Sequence, residues 1–470
     1  MVILGNTGSV INVKLQKGEL VNFKRIIFAH SGIKLTEKYK EAMQDVKYRP
    51  KACVKSLEEF DISRDMDTVV CLNSGGVILR ECVISLITIP NRLNQKFTAM
   101  ITFPQTSINL IGCEFVGNET DQTSGLIAIN GNVQISNCRF SNFKQGAVHL
   151  ISKRYNRVVV QNCEIFNCSL VGIYAQGVNA EPQILRCKIS QIEGPGIKVQ
   201  RGNKCKVQLC EIQECQIGVT SISADPYIMM NRIHKNMEYG VYIQTKNNLR
   251  SDAVIKYNWI EKNLEDGIAL EGDQNFSRVE KNHHICNNRK AGIRAGDLAQ
   301  VKILNNKIFS NYGQGILLVD SSSGFIEKNE VYQNYKANIA FGGNNSADTV
   351  ILNNHIFQSR SEGIFCIEGG FSWIKHNEIY DNSDGVIIFD SCNYISNNQI
   401  HENQRSGIIC SGSSFPLITQ NQIFGNNQTG VTVRDNSRVQ LKENKLYANF
   451  YQLSMKYLNM SKREQIMEDN

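Results

Sequence analysis

A glycine followed by an aliphatic residue recurs along this chain at intervals of roughly 21 to 27 residues, from Gly125-Leu126 through Gly172-Ile173, Gly240-Val241, Gly292-Ile293 and Gly363-Ile364 to Gly430-Val431. Asn338-Ile339 stands in the one gap, between Gly315 and Gly363. A period of this size marks a solenoid, in which each repeat buries its apolar face only against its neighbours. A chain of 470 residues would ordinarily divide into two or three globular domains. A solenoid core grows along one axis instead, so a single domain is expected over 1–449, with a tail over 450–470.

The content of each repeat is strand-like. Val133-Gln134-Ile135-Ser136-Asn137-Cys138-Arg139-Phe140 alternates apolar and polar residues over a short run, and Gly, Asn, Asp and Ser separate such runs. Nothing between 100 and 450 sustains a helical apolar period for three turns. The expected fold is all-β: a right-handed parallel β-helix of ~17 coils with a ~23-residue period. Tyr451–Met467 reads as a short helix capping the last coil, with Leu453, Tyr457, Leu458 and Met460 on one side.

Two columns fix the register. Two residues before each core Ile or Phe stand Cys82, Cys113, Cys138, Cys163, Cys187 and Cys210. The same column continues as Asn231, Asn258, His283, Asn306, Asn329, Asn354, Asn377, Asn398, Asn421 and Asn444. Three residues after the apolar position a second column runs through Asn118, Cys168, Cys215, Asn236, Asn263, Asn288, Asn311, Asn334, Ser359, Asn382, Asn403, Asn426 and Asn449. Stacked amides bond from coil to coil and to their own turns, and Cys serves as a small buried group. Both columns read as internal ladders.

Composition limits the function classes. The net charge of +7 is spread without a dense basic block, which gives no indication of nucleic-acid binding. No stretch of 18 apolar residues is present, so no membrane span is expected. The N-terminal residues lack a basic and apolar leader pattern, and the 15 Cys lie mostly in core columns without a Cys-x-x-Cys pair. Reduced thiols in the cytoplasm, or elsewhere inside the cell, are the expectation. The first coil has no cap, so an upstream segment, a partner or self-association is expected to cover it.

Residues 33–66 break the period. Leu35–Tyr48 has the spacing of a short amphipathic helix, and Leu35, Tyr39 and Met43 form a candidate partner-binding stripe on an inserted loop. For catalysis the candidates are an acidic row five residues after the repeat glycine: Asp297, Asp320, Glu368 and Asp390, continued by Asp435 and interrupted by Gly343 and Gly412. Neighbouring carboxylates about 5 Å apart suit a retaining glycosidase or calcium. The reading preferred for the row is that these are turn residues that accept backbone N–H bonds. Asp266, Glu362 and Asp384 form a sparser row that reads as surface acids. The scattered His and Cys residues offer no complete set of metal ligands, and no phosphate loop, dinucleotide fingerprint or nucleophile elbow is present. No cofactor is expected.

Turns such as Asn306-Lys307-Ile308-Phe309-Ser310-Asn311-Tyr312-Gly313-Gln314-Gly315-Ile316 and Asn377-Glu378-Ile379-Tyr380-Asp381-Asn382-Ser383-Asp384-Gly385-Val386 resemble the parallel β-helix repeat of many carbohydrate-active enzymes. They are most similar to the β-helix region of F-box-only ubiquitin-ligase receptors, without the F-box and the zinc-binding domain of that family. That resemblance implies a non-catalytic intracellular protein-binding scaffold. The alternatives are a carbohydrate-active lyase, hydrolase or epimerase on the same fold, and a structural component of a cytoskeletal or ciliary assembly.

Overall fold

The computed structural model describes residues 2–5, 11–14, 20–25, 27–30, 67–86, 96–118, 122–153, 156–343, 349–368 and 371–455. The chain is an all-β, parallel, right-handed solenoid of about 15 turns with a period of about 24 residues, fewer and slightly longer coils than the sequence suggests. Its strands group into two compact units, Met1–Gln216 and Ile217–Asn470. The inserted segment, with Leu35, Tyr39 and Met43, lies outside the described residues.

Each coil carries three short strands, and each strand pairs in parallel with its equivalents in neighbouring coils. In the second unit one coil runs Ile268–Glu271, Arg278–Glu280 and His284–Cys286. Period-2 alternation sends one side chain per strand inward, so three aliphatic columns line the core. The first is Ile260, Ile285, Ile308, Val331, Ile356, Ile379, Ile400 and Ile423 in successive register. The second runs from Ile268, Ile293 and Ile316 to Val431. The third runs from Ile255, Val279 and Ile303 to Leu441. Nearly all of these are fully buried. In the first unit the equivalent stack includes Ile84, Phe115, Phe140 and Ile165, with the two Phe rings 4.5 Å apart.

The corners explain the polar columns. A residue in the left-handed region precedes each ladder position: Asn305 (φ 54) before Asn306, Lys328 (φ 54) before Asn329, Asn137 (φ 52) before Cys138 and Arg186 (φ 50) before Cys187. That bend turns the ladder side chain inward among backbone groups that need partners. Asn306 donates its backbone N–H to Asn329 Oδ1 (2.9 Å), and its amide nitrogen donates to the same oxygen (3.0 Å) and to the Val279 carbonyl (2.8 Å).

The amide ladder runs Asn231, Asn258, Asn282, Asn306 and onward to Asn444. Asn282, not His283, holds the position, because this coil carries one extra residue before Ile285. His283 follows the ladder and donates its N–H to the Asn258 carbonyl.

The repeat glycine follows from the second ladder. A Cβ on Gly315 would lie 2.5 Å from the Asn338 carbonyl and 2.7 Å from the Asn334 amide nitrogen of the next coil. The one non-glycine, Asn338, occurs where the next coil has Ser359 in place of Asn. The shorter side chain leaves room, and the Asn338 amide fills it. Asn338 accepts from Asn334 (2.8 Å) and donates to Asn382 (3.2 Å), so it carries the ladder past the serine.

At the other end the expected helical cap is overturned for its first turn. Tyr451–Met455 is a strand, paired in parallel with Thr429–Val433. Tyr451, Leu453 and Met455 fit the two-residue alternation of one more coil better than a helical face. No helix occurs among the described residues, and 456–470 lie outside them.

Candidate functional site

The acidic row forms a line of corners. Asp297, Asp320, Glu368, Asp390 and Asp435 all adopt left-handed φ, from 48 to 59°. Asp390 Oδ1 accepts the Ser413 N–H (2.6 Å), and Asp435 Oδ2 accepts the Gly412 N–H (3.0 Å). Gly412 interrupts the row because a Cβ there would lie 2.2 Å from Asp390 Oδ1. Asp390 and Asp435 thus each bond the backbone of a neighbouring coil, as short acceptors at a left-handed bend do.

The sparser row is not on the surface. Asp266 and Asp384 are buried, at 2% and 1% exposure. Asp266 Oδ1 accepts the Ala291 N–H (2.7 Å) and Asp384 Oδ1 the Ser406 N–H (3.0 Å). An arginine neutralises each: Arg294 donates Nε to Asp266 Oδ2 (2.9 Å), and Arg405 donates to Asp384. These carboxylates are buried because a guanidinium and a backbone N–H replace their water. Glu362 takes a hydrogen bond from Ser361 (2.6 Å).

Around Asp266 the outward face of the sheet gathers further chemistry. Tyr242 stands on Val241–Gln244, Glu271 ends Ile268–Glu271, and Arg294 lies on Ile293–Gly296, three adjacent strands of consecutive coils. Arg294 donates its other arm to Glu271. Tyr242 donates its hydroxyl to the same carboxylate at 2.5 Å. The Tyr239 ring stacks on Tyr242, 5.1 Å away and 18° from parallel, and its hydroxyl also meets Arg294. Lys290 pairs with Glu265 at the rim.

Burial decides which of these groups a ligand can reach. The Asp266 side chain is 3% exposed, whereas Glu271 and Arg294 keep 15% and 20%. Burial raises the Asp266 carboxyl above its ordinary range, against the pull of the Ala291 N–H and of Arg294. Burial and the bond to Glu271 push the Tyr242 hydroxyl well upward, so it remains a hydrogen-bond donor at neutral pH. The arrangement is a carboxylate with two fixed donors, flanked by an aromatic pair, with buried Asp266 holding one of the donors, Arg294, from beneath.

Asp266 stands out in the sequence as a member of an acidic row, whereas Tyr242, Glu271 and Arg294 do not. Two residues after a repeat glycine the side chain points outward, and both Tyr242 and Arg294 occupy that place. That column carried the signal.

His401 joins an aromatic stack. Phe309, Tyr332, Phe357, Tyr380, His401, Phe424 and Tyr447 stack at 4.7–5.2 Å, nearly parallel. His234 shares the register of Glu261 and not of a ring. Among the described residues no three His, Cys, Asp or Glu side chains are grouped to hold a metal, and no helix is long and apolar enough to cross a membrane.

Among solved structures the chain is similar to a periplasmic alginate epimerase, AlgG, at 15% identity and TM-score 0.36, covering 56% of this chain and 77% of that one. It is similar to the A-module of the Azotobacter vinelandii mannuronan C-5 epimerase AlgE4 at 11% identity and TM-score 0.29, covering 82% and 91%. The catalytic domain of a GH87 α-1,3-glucanase matches at 12% identity and TM-score 0.29, covering 81% and 63%. At these values the likeness concerns the coil alone. No curated protein matches the sequence.

The expected kinship with ubiquitin-ligase receptors is corrected here, and with it the non-catalytic protein-binding scaffold. The matching solved structures include carbohydrate-active β-helices, and no match supports the receptor family. The profile of the right-handed beta helix region covers residues 67–227, 217–372 and 344–459. By that match, and by the inward columns that produce it, the chain belongs to the right-handed β-helix family.

Proposed function

We propose that this β-helix is a carbohydrate-active protein, with its site on the sheet face at Tyr242, Glu271 and Arg294. The observation that carries the reading is the Tyr242–Glu271–Arg294 constellation over buried Asp266. Glu271 is the reachable carboxylate, and its two donors hold it in one orientation. A general base needs that fixed geometry before it can take a proton from a water or a sugar hydroxyl. The Tyr239–Tyr242 pair adds an aromatic surface with hydroxyl donors, suited to a pyranose ring. Asp266 is a positioning residue, because it touches Arg294 and not the exposed face.

The reading is tested by measuring release of reducing ends, and unsaturated products at 235 nm, from a panel of plant, algal and bacterial polysaccharides. Turnover of at least one substrate is expected. Glu271→Gln should lower it about 100-fold or more while leaving the thermal midpoint in place. No turnover and no binding across the panel, or a Glu271→Gln variant as active as the parent protein, overturns it.

A further inference from the structure

We infer that the glycan taken at this site is uncharged, and that polyuronates are rejected. The inference rests on the carbohydrate reading above and concerns the substrate class of the same site. A polyuronate brings one carboxylate per sugar, and a site for it must offer a cation not already committed elsewhere. Here each cation of the cluster is committed. Arg294 gives Nε to Asp266 and its other arm to Glu271, and it also meets the Tyr239 hydroxyl. Lys290 is held by Glu265.

The count is three carboxylates, Glu265, Asp266 and Glu271, against two cations, Lys290 and Arg294. The cluster therefore carries one net negative charge. An incoming uronate would face Glu271 across a short distance without a counter-charge. A like-charge juxtaposition of this kind costs more than a hydroxyl–carboxylate hydrogen bond returns. A neutral sugar avoids that cost. Its hydroxyls donate to Glu271 and its ring lies against Tyr239 and Tyr242. Lyase and epimerase chemistry on uronates is disfavoured by the same count, and hydrolysis of a neutral chain is favoured.

The test is affinity electrophoresis and calorimetry of the intact protein against uncharged polysaccharides (xylan, mannan, α- and β-glucans), two polyuronates (alginate, polygalacturonate) and chitosan. At least one uncharged polymer should bind about tenfold or more tighter than either polyuronate. Raising salt from 20 to 500 mM should leave that binding unchanged. Glu265→Gln, which releases Lys290 at the rim, should raise polyuronate affinity several-fold without changing affinity for the neutral chain. A polyuronate or chitosan binding more tightly than every uncharged polymer overturns the charge inference while leaving the carbohydrate reading in place. Failure of every polymer to bind, with no turnover, sinks the carbohydrate reading itself.

Discussion

The same corner of the coil is solved by sulfur in one unit and by amides in the other. In Met1–Gln216 the column is Cys82, Cys113, Cys138, Cys163, Cys187 and Cys210. In Ile217–Asn470 it is Asn231 through Asn444. The bonding plan is conserved in outline. Cys113 donates its backbone N–H to Cys138 Sγ (3.4 Å), as Asn306 does to Asn329 Oδ1. Cys187 Sγ reaches the Val160 carbonyl at 3.6 Å, where Asn306 Nδ2 reaches Val279 at 2.8 Å. A thiol is a weak donor and acceptor, and an amide offers two N–H donors and a strong acceptor. The corner thus demands a small group that both gives and receives, and the strength of the bond is open to variation.

The largest effect should be blind to this difference. Ile189→Asp in the first unit and Ile379→Asp in the second each place a charge where no partner exists. Both should abolish the cooperative unfolding transition of the affected unit in circular dichroism. A variant melting like the parent chain would mean that the inward column is misassigned.

Truncation of the ladder should separate the units. Asn329→Ala removes the amide bonds to Ile303 and Asn354 and strands the Asn306 N–H. A loss of about 3–5 kcal/mol in urea unfolding is expected from several buried groups left unpaired. Cys187→Ala, which gives up weak sulfur contacts, should cost about 1–2 kcal/mol. Equal losses would remove the distinction between the two ladders.

A swap within the amide unit sharpens the point. Ser359→Asn drives an amide into the space of Asn338 and should cost about 1–3 kcal/mol. Adding Asn338→Gly restores the glycine–asparagine pairing of the other coils and should recover most of it. A double variant no better than the sum of the singles contradicts the exchange described for that coil.

A pH-linked effect belongs to the thiol unit. His149 is fully buried, and burial pushes its imidazole down to about 4. Between pH 6.5 and 4 the unfolded chain takes up this proton and the folded chain does not, so stability falls as pH falls through that window. The loss approaches about 3 kcal/mol. His149→Gln should flatten that part of the profile relative to the parent protein, and identical slopes would contradict it. Among the described thiols, Ellman's reagent should titrate exposed Cys392 first. Cys168, pushed up to about 11 by burial, should react only on unfolding.

Most of the coil was legible because each inward position is dictated by a neighbour. Gly315, Asn334 and Ile316 constrain one another, and those constraints repeat. Departures from the period were harder to read. The residue inserted at His283 lengthens the step from Val279 to Ile285 by one and leaves the ladder at Asn282, three residues before the apolar position instead of two. Tyr451–Met455 satisfies both a two-residue and a helical pattern over so short a span.

The site was the least legible part. Tyr242, Glu271 and Arg294 are separated by whole coils and meet only because the period stacks them. Asp266 and Asp384 read as surface acids because burial of a carboxylate depends on an arginine about 20 or more residues away. The row from Asp297 to Asp435 recurs with the period of the coil. A constellation seen once is where function is to be sought.

Hydrogen–deuterium exchange of the intact protein, with and without saturating uncharged oligosaccharide from the best-binding polymer, tests that claim most directly. Protection confined to peptides spanning 239–244, 265–272 and 290–296 is the expected result. Protection elsewhere on the coil, or none at a ligand concentration that saturates binding, would contradict the assignment of the site.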